Sequence, residues 1–347
     1  MNGRPLFSCL VRGYAVGMIP SVIAWTTRAG ASTRVRPLLG LLLVSLGSWA
    51  CAPGSVDDDG RIPVVTTTGM ITYITERVGG DRVRVSGLMG PGIDPHLYRA
   101  SAGDVRLLSR AELIFYNGLH LEAAMAEVLR EMDGRVRTRA VTDGIPPELL
   151  LRPSEFEGQY DPHVWSDVRL WMYAVETVWE SLADLDPEGA EEYARNARLL
   201  LDELTELDDW VRGRVEELPP QGRILVTAHD AFNYFGEAYG FEVRGLQGLS
   251  TVAEAGTADV RDLARYIVEH GVPAIFVESS IPRRNVEAVQ AAVRSQGGRV
   301  EIGGTLFSDA VGDRGTPEGT YPGMIRHNVN TIVDALRASE AEEAGSP

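Results

Sequence analysis

Six histidines occur in the 347 residues, so each can be weighed for chemistry. His96 lies in Gly90-Pro91-Gly92-Ile93-Asp94-Pro95-His96-Leu97-Tyr98, and His163 lies in Asp161-Pro162-His163-Val164-Trp165. The tripeptide Asp-Pro-His thus occurs twice. Proline restrains the backbone beside each His. A neighbouring carboxylate, Asp94 or Asp161, can accept the second ring N–H and fix the tautomer, as a metal-bound His usually requires. His229 directly follows the strand-like run Arg223-Ile224-Leu225-Val226-Thr227-Ala228, with Asp230 as a third supporting acid. Asp309 follows the last strand-like run, in Leu306-Phe307-Ser308-Asp309-Ala310. Ligands in open α/β sheets bind at the carboxyl ends of strands, which suits both positions. Three imidazoles and one carboxylate fit a borderline divalent ion such as Zn²⁺ or Mn²⁺. Glu278, at another strand end, reads equally as an accessory carboxylate, an alternative ligand or a structural acid. The remaining histidines fit structural roles. His270 precedes Gly271 at a helix end, where it can interact with the dipole. His327 sits on a late helix, and His120 sits in Asn117-Gly118-Leu119-His120.

The elements that must position these groups alternate. Strand-like runs cover Ile62 to Thr66, Val83 to Leu88, Glu112 to Tyr116 and Val136 to Val141, with helices expected at 69–79, 101–110 and 120–132. After residue 222 the pattern repeats. Strands are expected at 223–228, 241–246, 274–277 and 299–302, with helices at 230–239, 257–270, 283–296 and 323–338. Such alternation implies a mainly parallel sheet flanked by helices in each half. His96 and His163 come from the first half, His229 and Asp309 from the second.

Between the halves, Tyr193, Ala197, Leu200, Leu204, Leu207, Val211, Val215 and Leu218 trace one helix face. Asp186 can cap this helix, Pro187 suits its first turn, and Pro219-Pro220 stops it. A helix over 187–218 would be ~48 Å long. The expected architecture is α/β, with two lobes joined by one long rigid helix. The expected boundaries are a signal peptide at 1–50, a tether at 51–61 and a first lobe at 62–185. A connecting helix at 186–221, a second lobe at 222–338 and a tail at 339–347 follow.

Charge separates the front end from the body. The net charge is −16, and every one of the 33 basic residues is Arg. Removing the five Arg of residues 1–50, which hold no acid, leaves −21 on residues 51–347. That balance argues against a nucleic-acid partner. Arg34 and Arg36 precede the apolar run 37–46, and small residues lead to Ala50-Cys51-Ala52. This is the order of a secretory signal, too short to span a membrane. Cys51 suits lipidation, although Ser48 and Ala50 also suit ordinary cleavage, which would give a secreted soluble protein. Residues 1–33 are long for the basic region, which points to a start downstream, for example at Met18. Cleavage would remove Cys9 and leave one Cys, so no disulfide framework or thiolate cluster is expected in one chain.

Taken together, the motifs resemble the TroA-like zinc and manganese solute-binding lipoproteins, the metal-receptor cluster (A-I) of bacterial ABC importers. The resemblance covers roughly residues 62–337. It rests on Gly90–Tyr98, Asn117–Glu122, Asp161–Trp165, Thr227–Phe232 with Tyr234-Phe235, Phe276–Ser280, Leu306–Ala310 and Gly315–Tyr321. It implies one interlobe metal site with His96, His163, His229 and Asp309 as ligands. It also implies a monomer held outside the cytoplasm, at the cell surface or in the periplasm. There it would deliver its ion to a permease and ATPase, with membrane lipid attached through Cys51. Two departures bear on the metal. Residues 143–162 lack the His-rich loop of dedicated zinc receptors, and many manganese receptors have Glu where this chain has His229.

No catalytic step is required by this reading. The alternatives are a zinc-dependent hydrolase and a surface adhesin on the same fold. Catalytic zinc usually keeps an open position, which four protein ligands would fill. The chain also lacks His-Glu-x-x-His and Gly-x-Ser-x-Gly. Nothing in it points to a partner for adhesion.

Overall fold

In the computed structural model, residues 59–153 and 158–344 are described. The expected signal peptide, Cys51 and most of the tether lie outside the described residues. In the first half, four parallel strands form one sheet: β1 (Ile62–Thr66), β2 (Val83–Gly87), β3 (Leu113–Tyr116) and β4 (Arg137–Ala140), in the order β2-β1-β3-β4. Parallel neighbours need crossovers, and α1 (Gly69–Gly79), α2 (Ala102–Leu108) and α3 (Ala126–Asp133) supply them. The continuous apolar run in β3 has a physical reason. Leu113 and Phe115 enter the central core, while Ile114 enters a second core under α2 and α3. A strand covered on both faces cannot alternate with polar residues.

In the first half two helices depart most from the sequence reading. Helix α3 begins at Ala126 rather than 120, because Leu119 and His120 have φ of 52° and 66°. Such left-handed residues cannot continue a right-handed helix. Helix α4 (Val168–Leu185) was not anticipated. The Asp167 side chain caps it by accepting the N–H groups of Arg169 and Leu170.

The spine is α5 (Ala190–Val215), which buries the expected face from Tyr193 to Val215. Its 26 residues span ~39 Å at 1.5 Å per residue, less than the expected length. Asp186 does not cap it. Its carboxylate instead pairs with Arg82 at 2.7 Å and accepts the Tyr193 hydroxyl at 2.8 Å, and Pro187–Gly189 form a tight turn.

The second half holds β5 (Ile224–His229), β6 (Glu242–Gln247), β7 (Ala274–Glu278) and β8 (Glu301–Leu306). They pair in parallel as β5-β6 and β7-β8, with β5 beside β7. Helices α6 (Asn233–Tyr239), α7 (Thr257–His270), α8 (Arg284–Ser295) and α9 (Tyr321–Ala344) accompany them. Helix α9 runs on through 344, into the stretch read as a tail.

One central core joins the two lobes. It includes Val64, Ile71, Trp171, Leu204, Leu225, Phe276 and Val329, so α1, α4, α5 and α9 serve both. The described residues accordingly form one compact unit. Among the described residues, no helix is long and apolar enough to cross a membrane.

Candidate metal centre

The chain leaving β2 carries His96, the segment before α4 carries His163, β5 ends at His229, and Asp309 follows β8. All four side chains are buried. Each offers one ligand atom, and these atoms lie within 4.8 Å of one another. The Nε2 atoms of His96 and His163 are 3.3 Å apart. His163 Nε2 is 3.6 Å from Asp309 Oδ1, and His229 Nε2 is 3.2 Å from Asp309 Oδ2. Ligands held ~2.0–2.1 Å from a tetrahedral ion would themselves lie about 3.3 Å apart. The His96–His163 spacing therefore matches an edge of a metal tetrahedron, and Asp309 faces His163 and His229 through different oxygens.

The supporting acids act unequally. Asp161 Oδ1 accepts the His163 backbone N–H at 2.9 Å and faces its ring Nδ1 at 2.7 Å. A proton on Nδ1 leaves Nε2 free as a donor atom. Asp94 was expected to do the same for His96 and does not. Its Oδ1 accepts only the His96 backbone N–H, at 2.8 Å, and its Oδ2 accepts the Thr251 hydroxyl, at 2.6 Å. Asp230 also departs from expectation. Its carboxyl accepts the Gly245 N–H at 2.8 Å, and burial pushes its pKa up to about 6. Glu278 takes that place behind His229. Its Oε1 accepts the His229 backbone N–H at 2.9 Å, and its Oε2 touches ring Nδ1 at 2.5 Å. That ring contact is close but not aligned as a hydrogen bond.

Electrostatics favours a cation here. Burial presses the His229 imidazole down, but Glu278 and Asp309 outweigh it and hold its pKa well above the usual histidine range. Burial would raise the Asp309 carboxyl, yet His229, His163 and His96 hold it below the usual range. His96 is pushed down to about 3, first by burial. It is therefore neutral, as a ligand must be. His229 Nε2 and Asp309 Oδ1 are buried without a hydrogen-bond partner. Such orphaned atoms are costly unless something polar or cationic meets them.

Several holding residues escaped the sequence reading. Asn117 Nδ2 donates to the Pro162 carbonyl at 3.0 Å, next to His163. Buried Glu122 in turn fixes Asn117, accepting its N–H at 2.7 Å together with the Gly118 N–H and the Thr67 hydroxyl. Gly118 has φ +88°, and a Cβ there would sit 2.8 Å from Thr142 Oγ1 and 2.9 Å from Ala140 Cβ, so only glycine fits this turn. Tyr234 donates to the Asp161 carbonyl at 3.0 Å, and Trp165 donates to the Ser308 carbonyl at 2.7 Å. The signal for Asn117 was its Asn-Gly pair after a buried strand. Thr251 carried no local signal.

The other histidines stay away from the centre. His270 ends α7, with Nδ1 at 2.9 Å from the Tyr266 carbonyl and its ring stacked on Tyr266. His327 Nε2 meets the Thr305 carbonyl at 2.9 Å, and His120 is exposed. Open grooves also lie elsewhere. One of about 650 Å³ is lined by Asp167, Arg169 and Tyr173.

Known proteins share this arrangement of chain. Residues 64–335 match the family described as ZnuA, zinc-uptake complex component A periplasmic. The chain is 51% identical over 298 residues to the zinc-binding protein TroA of Treponema pallidum (strain Nichols), covering 85% of this chain and 96% of the relative. It is 44% identical over 279 residues to the manganese-binding lipoprotein MntA of Bacillus subtilis (strain 168), covering 80% and 91%. The solved periplasmic zinc binding protein TroA from Treponema pallidum superposes with a TM-score of 0.78 at 52% identity, covering 80% of this chain and 99% of that one. The Fe(III)-bound YtgA from Chlamydia trachomatis gives 0.71 at 29% identity, covering 79% and 98%. With a match this long and relatives this similar, the chain belongs to the ZnuA family of periplasmic zinc-uptake components.

Proposed function

We propose that this chain is the extracytoplasmic metal receptor of an ABC importer. It captures one divalent transition-metal ion, Zn²⁺ or Mn²⁺, through His96, His163, His229 and Asp309. It then delivers the ion to a membrane permease served by an ATPase. The observation that carries this reading is the four buried ligand atoms gathered within 4.8 Å from both halves of the chain. The relatives named for zinc and for manganese binding support both candidate ions. Three nitrogen donors favour Zn²⁺ over Mn²⁺ in intrinsic affinity. Availability decides which ion is carried in the cell.

The receptor performs no chemical step. Four protein ligands leave no open position for a substrate, and open grooves lie away from the centre. The mature chain starts at Cys51, is anchored by lipid there and works as a monomer. A Cys51→Ala variant that stays membrane-bound would remove the anchor from this account. The transport role is tested by uptake of both metals in a strain lacking this gene and other importers. Loss of uptake restored by the native chain supports the role, and normal uptake without it contradicts the role.

A further inference from the structure

The two Asp-Pro-His segments are tied to the second lobe very differently. Around His163 the ties are many. Asn233 donates to Asp161 Oδ2 at 3.0 Å, and Tyr234 donates to the Asp161 carbonyl at 3.0 Å. Trp165 donates to the Ser308 carbonyl at 2.7 Å, Ser166 to the Ala231 carbonyl at 2.8 Å, and Tyr321 to the Trp165 carbonyl at 2.8 Å. His163 precedes the spine in sequence, yet it is fastened to the half that follows the spine.

Around His96 the situation is reversed. Among the described residues, one hydrogen bond joins residues 90–97 to an element of the second lobe, from Thr251 Oγ1 to Asp94 Oδ2 at 2.6 Å. The other Asp94 oxygen holds the His96 backbone N–H at 2.8 Å. Residues 88–101 contain no helix and, beyond β2, no strand. Their ends are anchored in the first lobe. Leu88 and Met89 donate to the carbonyls of Thr66 and Thr67, and Tyr98 donates to Asp104 at 2.9 Å. The rings of His163 and His229 each have a carboxylate behind them, Asp161 and Glu278. No carboxylate backs the ring of His96 among the described residues. Its neighbours Ile93 and Leu97 are 39% and 52% exposed.

We propose that residues 90–98 are the gate of the metal site and that the Thr251–Asp94 hydrogen bond is its latch. His163, His229 and Asp309 form a fixed half-site. His96 is the ligand that arrives last and leaves first. Opening there breaks one hydrogen bond to the second lobe, whereas freeing His163 breaks five. The route with fewer bonds to break is the one local opening follows. Thr251 is thus a positioning residue, acting on His96 through Asp94. This inference rests on the metal-receptor reading and adds which ligand yields and what restrains it.

The test follows Zn²⁺ release from the loaded full chain to excess chelator by stopped flow. Thr251→Val keeps the side-chain shape and removes the hydroxyl, and release is expected to become about tenfold faster. Thr251→Ser restores the hydroxyl and is expected to bring the rate back near native. Native-like release from Thr251→Val, or equally fast release from Thr251→Ser, would overturn the latch. Amide exchange on the native chain gives an independent reading. Metal removal is expected to speed exchange across 90–98 and to leave 159–166 protected; equal loss of protection in both segments would overturn the gate. Equilibrium binding of one ion by the native chain is measured first. Its absence counts against the receptor reading itself, whereas a failed gate leaves that binding intact.

Discussion

Glu278 holds His229 from behind with both carboxylate oxygens. Oε1 accepts the His229 backbone N–H at 2.9 Å, and Oε2 lies 2.5 Å from Nδ1. The acid at the end of β7 therefore anchors the backbone of His229 at the end of β5 and places a negative charge behind its ring. Glu278→Gln keeps an oxygen for the backbone N–H and removes the charge. Metal affinity measured at pH 8, where protons compete least, is expected to fall about 10–100-fold with the fold retained. Unchanged affinity would remove Glu278 from the support of the site.

The same pair predicts a pH dependence. In the metal-free chain burial presses His229 down, but Glu278 and Asp309 hold it above its ordinary pKa and so favour its protonated form. Metal binding needs the neutral ring and must expel that proton. Affinity therefore rises with pH below the raised pKa, by up to about tenfold per unit for one proton. Titration calorimetry in buffers of different ionisation enthalpy is expected to find about one proton released per ion. Release of none would contradict the charge assigned to His229. His96, pushed down to about 3, contributes no proton in this range.

Asn117 is the link between the first sheet and the His163 segment. Asn117→Ala removes the donor to the Pro162 carbonyl and leaves that buried acceptor unpaired. Stability is expected to fall by about 1–3 kcal/mol. Zn²⁺ affinity is expected to weaken as well, because His163 loses its lateral support. Denaturant unfolding and metal titration check the two effects separately. A stability loss with native affinity would confine Asn117 to folding.

The spine has its own polar anchor. Buried Asp208 on α5 receives Arg169 from α4 at 2.5 Å, Arg212 at 2.9 Å and the Tyr239 hydroxyl at 3.0 Å. Burial works to raise its pKa, but Arg212, Arg169 and Tyr239 lower it overall. Both guanidinium groups are partly exposed, so Asp208→Ala is expected to cost only about 1–2 kcal/mol at pH 7. A depressed carboxyl stabilises the fold above its unfolded pKa, about 3.9, and that contribution fades as pH falls through the folded value. The gap between native and variant melting temperatures should close in acid. A gap that persists there would assign the loss to packing.

The candidate centre was legible because its chemistry sits at breaks in the chain pattern. His229 and Asp309 follow apolar runs, and the repeated Asp-Pro-His marks His96 and His163. The identical tripeptides nevertheless hid different jobs. Asp161 reaches the ring of its own His, while Asp94 reaches Thr251. Which oxygen meets which partner depends on groups 72 and 157 residues away, which local reading does not reach. The strand-helix alternation gave the architecture, and the apolar face of α5 was read correctly from Tyr193 to Val215. Helix α4 is not evident from the sequence pattern, although Asp167 caps it and Val168, Trp171, Val175, Val178 and Leu182 line one buried face. Its tryptophans and β-branched residues obscured a helical spacing that tertiary packing enforces. The left-handed Leu119 and His120 could not be foreseen either, since the turn is imposed by Glu122 from below.

The central claim is that one metal ion binds among His96, His163, His229 and Asp309. Native mass spectrometry of metal-free residues 51–347 titrated with Zn²⁺ tests it most directly, with His163→Ala measured beside it. The expected result is one tightly held ion per native chain and loss of that ion in His163→Ala at the same concentrations. An equally tight ion in His163→Ala, or none in the native chain, would contradict the claim.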